Sequence, residues 1–229
     1  MSTVALLLAA GRGERLGRDL PKALVPVAGR PLLWVAVQSL LAVSSIDRIV
    51  PVVTLREMDR FREVLAEFDA GARLAEPVAG GAKRQDSVRA GLEALPEGTE
   101  LVVVHDAARP LVRARLVERV IELAKSDGAA ILAVPSGDTI KRVEDGWIVE
   151  TPCRETCWLA QTPQVFRTEL LREALAKAAA DDFRGSDDAQ LVERLGVPVR
   201  IVEGERDNFK LTHPEDLERA ERWLQKEGR

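Results

Sequence analysis

The stretch Leu6-Leu7-Leu8-Ala9-Ala10-Gly11-Arg12-Gly13-Glu14-Arg15-Leu16-Gly17, followed closely by Pro21-Lys22, decides the fold of this chain. The apolar run from Val4 to Ala10 is typical of a parallel strand buried on both faces. It ends in a loop that holds three glycines and several basic residues, and glycine lets a backbone approach a ligand closely. Exposed backbone amides beside arginine and lysine suit a polyphosphate. We therefore predict a nucleoside triphosphate loop at the carboxyl end of the first strand, where open α/β sheets bind ligands.

Two better-known phosphate loops do not fit this stretch. A Walker A loop needs Ser or Thr directly after its lysine, whereas Lys22 is followed by Ala23. A dinucleotide fingerprint needs glycine three positions after Gly13, where this chain has Leu16, and an acid about 20 residues further on. An ordinary glycine-rich turn between a strand and a helix remains the alternative to a nucleotide loop.

The composition is that of a water-soluble, mildly acidic chain. Of its 229 residues, 46% are apolar, which suffices for a core, and the formal net charge is −4. We expect a single domain over residues 1–229. The charge argues against a nucleic-acid partner, and the apolar runs are far too short to span a membrane. Because Cys153 and Cys157 form neither a C-x-x-C pair nor a disulfide framework, we expect a cytoplasmic protein.

Apolar strand-like runs alternate with amphipathic helix-like stretches along the chain. The predicted strands are Val4–Ala9, Arg48–Val53, Arg73–Glu76, Leu101–Val104, Ala129–Val134, Leu159–Gln161 and Arg200–Val202. The predicted helices are Pro31–Ala42, Arg56–Glu67, Arg84–Leu95, Arg113–Lys125, Thr168–Ala179, Asp187–Leu195 and Pro214–Lys226. This order predicts an α/β fold: a doubly wound, mostly parallel, Rossmann-like sheet with helices on both faces.

The segment Asp138–Glu150 breaks this alternation. Two short strands of alternating character flank Asp145-Gly146, which is a strong β-hairpin signal. An isolated hairpin is only marginally stable in water, so its apolar side chains must pack on something. We call residues 136–158 the arm. It can fold onto its own domain or onto another subunit.

An acid follows the predicted central strand at the ligand-binding edge of the sheet. Three consecutive valines end at Val104, and Asp106 lies two residues later. Mg²⁺ prefers one or two carboxylates together with phosphate oxygens and water, so Asp106 is a candidate metal ligand. A turn cap is the alternative for a lone aspartate at this place. We interpret His105 as structural, because nothing in the sequence around it completes a nucleophilic triad or a zinc site.

A second polar turn begins at the glycine pair Gly80-Gly81 and runs into a predicted helix. Backbone groups and a hydroxyl in this turn can recognise the edge of a base. The alternative is a helix cap, since Ser and Asp near a helix start commonly have that role. Near the end of the chain, Asp207 can complete a metal site opposite Asp106, and Lys210 can bind a phosphate.

Together these motifs resemble one family over nearly the whole chain, from Val4 to about Leu217. The first loop with Pro21-Lys22 resembles the signature loop of nucleotidyltransferases that join a nucleoside triphosphate to a sugar or polyol phosphate and release pyrophosphate. The string Asp106-Ala107-Ala108-Arg109-Pro110 is similar to that of the 2-C-methyl-D-erythritol 4-phosphate cytidylyltransferases of the non-mevalonate isoprenoid pathway.

The resemblance implies a set of nucleotide contacts and two residues, Arg15 and Lys22, that stabilise the transition state. The implied CTP contacts are Ala9, Ala10, Gly11, Gly13, Arg15, Lys22, Gly81, Asp86, Ser87, Asp106 and Ala107. Mg²⁺, or another divalent cation, is the implied cofactor, with Asp106 and Asp207 as its protein ligands.

For the acceptor, the resemblance implies a phosphate site that two subunits share. The implied contacts are Arg109, Thr139, Arg154, Thr162 and Lys210. The arm then clasps the partner of a homodimer, so that Thr139 and Arg154 reach the partner's site. The family often has a Thr-Asp-Glu string where this chain has Ser186-Asp187-Asp188, so we assign Ser186 no contact.

The expected reaction is an in-line attack by a phosphate oxygen of the acceptor on the α-phosphorus of CTP. It needs no protein nucleophile, only positioning and charge neutralisation. One alternative is a cytidylyltransferase for another polyol phosphate, such as ribitol 5-phosphate. Another is a non-catalytic nucleotide-binding module. An oxidoreductase is excluded by Leu16 and by the missing acid.

Overall fold

The computed structural model of this chain describes residues 1–11 and 20–227. Its strands are β1 (Ser2–Ala9), β2 (Pro26–Val27), β3 (Arg30–Pro31), β4 (Arg48–Val53), β5 (Val78–Ala79), β6 (Thr99–Asp106), β7 (Ala129–Pro135), β8 (Arg142–Glu144), β9 (Trp147–Glu150), β10 (Trp158–Arg167) and β11 (Arg200–Glu203). Its helices are α1 (Leu32–Leu41), α2 (Met58–Leu65), α3 (Arg84–Glu93), α4 (Ala114–Asp127), α5 (Thr168–Ala180), α6 (Asp188–Glu193) and α7 (Pro214–Lys226).

Seven of these strands form one sheet in the order β11-β7-β10-β6-β1-β4-β5. β1 lies inside the sheet and pairs in parallel with β4 and β6. β10 lies between β6 and β7 and is antiparallel to both of them. The remaining strands form two small ribbons, β2 with β3 and β8 with β9. The predicted α/β fold with a mostly parallel sheet is confirmed.

Side chains of β1 alternate between two apolar layers. Leu7 faces a cluster that includes side chains of α1 and α4, whereas Leu6 packs with side chains of α3 and α5. Both leucines are fully buried. A strand covered on both faces needs apolar residues at every position, which explains the uninterrupted run at the start of the chain. The helices therefore cover both faces of the sheet, as predicted.

Two strand predictions need correction. The predicted strand Arg73–Glu76 is a short 3₁₀ turn at Gly71–Arg73 and a single bridge from Leu74 to Ile49, and the edge strand is β5 instead. The predicted strand Leu159–Gln161 is only the beginning of β10, which has 10 residues. The remainder of β10 was not predicted because it contains Pro163, and proline lacks the backbone N–H that hydrogen-bonds to a neighbouring strand. The pairing of β10 with β7 shifts register between Ala160 and Gln164, and this irregularity accommodates the proline.

The arm contains the predicted hairpin. Its turn residues, Asp145 and Gly146, have φ values of 49° and 83°, the left-handed pair that a type I′ turn needs. Every residue of β8 and β9 is exposed, and Trp147 retains 78% of its accessible surface. Within this chain the hairpin has no covering layer among the described residues. Over that same part of the chain, the helices all lack the length and apolar character that a bilayer crossing requires.

Candidate functional site

A cavity of about 640 Å³ opens at the carboxyl ends of β1 and β6. Three backbone segments line it: residues 8–11, residues 81–84 and residues 106–108. Lys22, Ser87 and Lys210 add their side chains to its walls. The cavity therefore lies at the sheet edge where the sequence predicted a ligand site. Gly13 and Arg15, two of the predicted nucleotide contacts, lie outside the described residues.

Asp106 ends β6 with its carboxylate between two cations. Its Oδ2 lies 2.7 Å from Lys210 Nζ, and its Oδ1 lies 3.2 Å from Arg84 Nε. The residue is only 7% exposed. Burial favours the neutral acid, but the charges of Arg84 and Lys210 outweigh burial and hold the pKa of Asp106 well below its usual range. Asp106 is therefore ionised at neutral pH.

Arg84 joins Asp106 to a second buried acid. Its Nη1 lies 2.8 Å from Oδ2 of Asp188, which is 1% exposed. Burial raises the pKa of Asp188 despite the opposing charge of Arg84. Burial would lower the pKa of Arg84, but Asp188 and Asp106 raise it, so the guanidinium stays charged. Arg84 is not among the site residues predicted from the sequence, because an arginine at the start of a helix resembles a solvated charge.

A chain of hydrogen bonds runs behind Asp106. The backbone N–H of Asp106 donates to Thr162 Oγ1 at 3.0 Å, and this oxygen lies 3.1 Å from His105 Nδ1. His105 Nε2 lies 3.0 Å from the carbonyl oxygen of Arg109. A carbonyl only accepts, so Nε2 carries the proton, and Thr162 donates its hydroxyl proton to Nδ1. Burial lowers the pKa of His105 to about 4, which keeps the ring neutral.

This chain of hydrogen bonds changes the interpretation of Thr162. The family resemblance implied that its hydroxyl contacts the acceptor. In the structure the hydroxyl accepts one hydrogen bond and donates another within the protein, and the residue is 5% exposed. Its placement is that of a residue that positions Asp106. His105 has a structural placement, as expected.

Arg109, a predicted acceptor contact, is held by backbone carbonyls beside the cavity. Its Nη1 donates to the Asn208 carbonyl at 2.8 Å, and its Nη2 donates to the Ala160 carbonyl at 3.3 Å. Asn208 is 1% exposed and donates its amide to Gln161 Oε1 and to the Thr162 carbonyl. The loop that carries Lys210 is therefore fastened to β10 and to Arg109.

The glycine pair at 80 and 81 permits close packing at the cavity wall. A Cβ on Gly81 would lie 2.3 Å from the Cβ of Asp86, so only glycine fits there. Ser87 Oγ accepts from the Gly81 N–H at 3.2 Å, and both residues line the cavity. Asp86 instead accepts from the Lys83 N–H at the start of α3 and pairs with Arg89. It caps the helix and lies outside the cavity lining, unlike the nucleotide contact that we predicted.

The two predicted metal ligands do not line the same cavity. The Asp207 carboxylate lies 3.4 Å from Arg219 on α7, in a separate surface groove. Over residues 1–11 and 20–227, no group of three or more His, Cys, Asp or Glu is placed to hold a metal ion. The structure thus offers Asp106 as a ligand but does not bring Asp207 to it.

The other predicted site residues divide into two groups. Ala9, Ala10, Gly11, Lys22, Ala107 and Lys210 all line the cavity. Thr139 and Arg154 lie exposed on the arm, and neither lines the cavity of its own chain. Ser186, to which we assigned no contact, is exposed near α6.

Comparison with known proteins places this architecture among close relatives. The family model "2-C-methyl-D-erythritol 4-phosphate cytidylyltransferase" matches residues 3–226. The protein of that name from Syntrophus aciditrophicus (strain SB) is 44% identical over 225 residues, which cover 98% of this chain and 96% of the relative. The Geobacter metallireducens protein of the same name is 42% identical over 228 residues, covering 98% of both chains.

Solved structures agree with the sequence comparison. The 4-diphosphocytidyl-2C-methyl-D-erythritol synthase from Anaerococcus prevotii superposes with a TM-score of 0.87 at 32% identity, over 98% of this chain and 96% of that chain. The 2-C-methyl-D-erythritol 4-phosphate cytidylyltransferase from Thermus thermophilus has a TM-score of 0.77 at 40% identity, over 98% of this chain and 100% of that chain.

Proposed function

The chain belongs to the 2-C-methyl-D-erythritol 4-phosphate cytidylyltransferase family, and from that premise we propose what its cavity does. The enzyme transfers the cytidylyl group of CTP to 2-C-methyl-D-erythritol 4-phosphate. It releases pyrophosphate and forms 4-diphosphocytidyl-2-C-methyl-D-erythritol. We also propose that it works in the cytoplasm, since its two cysteines form no disulfide framework.

The charge of the cavity wall carries this proposal. Four basic residues line the cavity, Lys22, Lys83, Arg84 and Lys210, whereas Asp106 is the one acid among the described lining residues. Two polyanions must meet in the reaction. One like-charge contact at 4 Å costs about 4 kcal/mol at an effective dielectric of 20. A wall with excess positive charge offsets this repulsion. We propose that Lys22 and Lys210 hold the phosphates, whereas Arg84 is engaged by Asp106 and Asp188.

The chemistry requires positioning and charge neutralisation. An oxygen of the acceptor phosphate, already an anion, bonds to the α-phosphorus of CTP, and the bond from that phosphorus to the leaving pyrophosphate breaks. We propose that Lys22 and Arg15 stabilise the charge on the crowded phosphorus. Ala9, Gly11 and Gly81 supply backbone contacts to the nucleotide, and Lys210 and Arg109 hold the acceptor phosphate.

We propose Mg²⁺, or another divalent cation, as the cofactor that enters with the triphosphate. When bound, such a cation neutralises phosphate charge. Asp106 fits it as a protein ligand, because the carboxylate is ionised and lines the cavity. Asp207 does not fit, since its carboxylate faces Arg219 in another groove.

We further propose that the chain works as a homodimer joined through the arm. Trp147 and Ile148 are 78% and 62% exposed on a hairpin whose two strands are exposed throughout. Thr139 and Arg154 do not line the cavity of their own chain. If the arm covers a partner, these two residues supply a hydroxyl and a forked cation to the acceptor phosphate of the partner's site.

The shared site can be tested by mixing two inactive variants. A heterodimer of Lys22→Ala and Arg154→Ala chains has one site with an intact Lys22. If Arg154 acts across the dimer, that site receives Arg154 from the Lys22→Ala chain, and mixing restores activity. If Arg154 acts within its own chain, both sites stay defective, and the absence of restored activity would overturn the shared site.

Pyrophosphate release tests the function itself. The unaltered protein is assayed with CTP, Mg²⁺ and 2-C-methyl-D-erythritol 4-phosphate, beside ribitol 5-phosphate and beside ATP, GTP and UTP. We expect release with CTP and methylerythritol phosphate. Release with ribitol 5-phosphate alone would overturn the acceptor, and silence from folded protein that binds CTP would favour a non-catalytic nucleotide-binding module.

A further inference from the structure

Arg84 is the one residue that links three separate parts of the described site. It begins α3 directly after the glycine turn, and its guanidinium reaches Asp106 at the end of β6 and Asp188 at the start of α6. Its side chain is 29% exposed and lines the cavity. The two carboxylates that it contacts lie 82 residues apart in the sequence, so nothing local holds them together.

Asp188 has a fixed position because β10 holds its backbone. The Gln164 side-chain oxygen accepts from the N–H groups of Asp188 and Ala189, at 3.2 and 3.0 Å. Its amide nitrogen donates to Asp187 Oδ2 at 2.8 Å. The backbone that carries the Asp188 carboxyl group is therefore held beside Arg84. Within the described residues, Arg84 is also the one ion-pair partner of this carboxyl group.

We propose that Arg84 is a positioning residue for cytidylyl transfer and that Asp188 acts through it. The inference rests on the proposed function. Held by Asp188, the Arg84 guanidinium fixes Oδ1 of Asp106 and leaves Oδ2 to Lys210. We call this Asp188–Arg84–Asp106 contact the bridge. It sets the spacing between the turn at 80–81, which we propose contacts the nucleotide, and Lys210, which we propose contacts the acceptor.

A forked cation suits this role and a point charge does not. The Arg84 Nε donates to one carboxylate while Nη1 forms an ion pair with the other, whereas a lysine ammonium at the end of a flexible stem has no such fixed spacing. Misplacement of reacting groups by about 1 Å can cost roughly 10²-fold in rate. We therefore expect Arg84→Gln to lose roughly 10²-fold in kcat. The kcat of Arg84→Lys should be closer to that of Arg84→Gln than to that of the unaltered enzyme.

The experiment measures kcat and KM for Arg84→Gln, Arg84→Lys, Asp188→Asn and the double variant Arg84→Gln/Asp188→Asn. A positioning role lowers kcat and leaves KM for CTP nearly unchanged. Since Asp188 acts through Arg84, the single variant Asp188→Asn should lower kcat. In the Arg84→Gln background, the same substitution should cause no further loss of kcat. Arg172→Gln is the matched control, because Arg172 also bonds α3, at Leu92, but lies outside the cavity lining.

Several results would overturn the inference. A rise in KM for CTP with kcat retained would make Arg84 a direct nucleotide contact. Unchanged kcat in Arg84→Lys or in Asp188→Asn, or additive losses in the double variant, would remove the bridge from the mechanism. Arg84→Gln leaves a buried carboxylate unpaired and can fail to fold. The double variant removes the charges of both Arg84 and Asp188. If Arg84→Gln does not fold, the kcat values of the double variant and of Asp188→Asn test the inference.

Failure of the proposed function gives a different result. The unaltered enzyme would then release no pyrophosphate with any acceptor, whereas failure of the inference leaves the unaltered enzyme active. Calorimetric titration with CTP covers both cases. We expect Arg84→Gln to bind CTP with nearly unchanged affinity, and a large loss of affinity would overturn the positioning role even without turnover.

Discussion

Replacing Thr162 by valine tests the chain of hydrogen bonds behind Asp106. Valine matches the shape of threonine but lacks its hydroxyl. The substitution leaves two buried groups without partners: the Asp106 N–H, 3.0 Å from the lost oxygen, and His105 Nδ1, 3.1 Å from it. An unsatisfied buried polar group costs about 1–3 kcal/mol. The free energy of unfolding should therefore fall by roughly 2–6 kcal/mol, out of about 5–15 kcal/mol for a typical protein.

Urea unfolding of the unaltered protein, Thr162→Val and Thr162→Ser measures this loss. Thr162→Ser keeps a hydroxyl and serves as the control, with most of the stability retained. The melting temperature should follow the free energy at roughly 2–4 °C per kcal/mol for a chain of this size. In the folded Thr162→Val variant, kcat should fall because Asp106 has lost its backbone anchor, while KM for the acceptor stays constant.

The opposite pattern would refute this reasoning. If Thr162 contacts the acceptor directly, Thr162→Val raises KM for the acceptor and leaves the free energy of unfolding close to that of Thr162→Ser. The tautomer of His105 gives an independent check. Nitrogen NMR should find the proton on Nε2, as the carbonyl of Arg109 requires.

Other predictions follow from the same geometry. Lys22→Ala should lose roughly 10²–10³-fold in turnover without a lower melting temperature, measured by pyrophosphate release and thermal unfolding. The pKa of His105 is about 4 in the folded protein and 6.5 in the unfolded chain. As the pH falls below about 6.5, His105 is therefore protonated in the unfolded chain but stays neutral in the folded protein, which favours unfolding. Roughly 3 kcal/mol should be lost between pH 6.5 and 4, and His105→Gln should flatten this part of the stability profile. Asp106, with its lowered pKa, adds a loss only below its ordinary value of 3.8. Gly81→Ala should cost roughly 1–3 kcal/mol of stability in urea unfolding and weaken CTP binding by calorimetry, because its Cβ would meet Asp86.

Much of the fold was predictable because its signals are local. The apolar run of β1 and the Asp145-Gly146 turn each require a particular backbone, whatever surrounds them. β10 was predicted only in part, since Pro163 opposes a strand on local grounds and the irregular pairing with β7 that accommodates it depends on tertiary structure. The segment at 73–76 has strand-like residues, but within the described part of the chain it forms a single bridge, from Leu74 to Ile49.

A site residue was predictable where the strand or loop that carries it is enough to place it at the cavity. Lys22, Asp106 and Lys210 belong to this class. Arg84 was missed because its role depends on two acids from distant parts of the chain. Asp207 follows a strand much as Asp106 does, yet its side chain turns to Arg219, and sequence order cannot give that direction. The roles of Thr139 and Arg154 stay predictions.

The position of β10 has a consequence for how the enzyme is made. β6 and β7 follow one another along the chain, separated by α4, yet they do not pair with each other, and β10 fills the space between them. While the chain is being synthesised, β6 and β7 must therefore leave a gap for one more strand. That strand will lie roughly 5 Å from each of them. Until β10 arrives, β6 and β7 expose unpaired edges, which are templates for association with other chains. Its arrival also delivers Gln161, Thr162 and Gln164. Docking of β10 thus pairs the facing edges of β6 and β7 and supplies the Thr162 hydroxyl that bonds the Asp106 N–H, whereas Lys210 reaches Asp106 only after a later part of the chain is made.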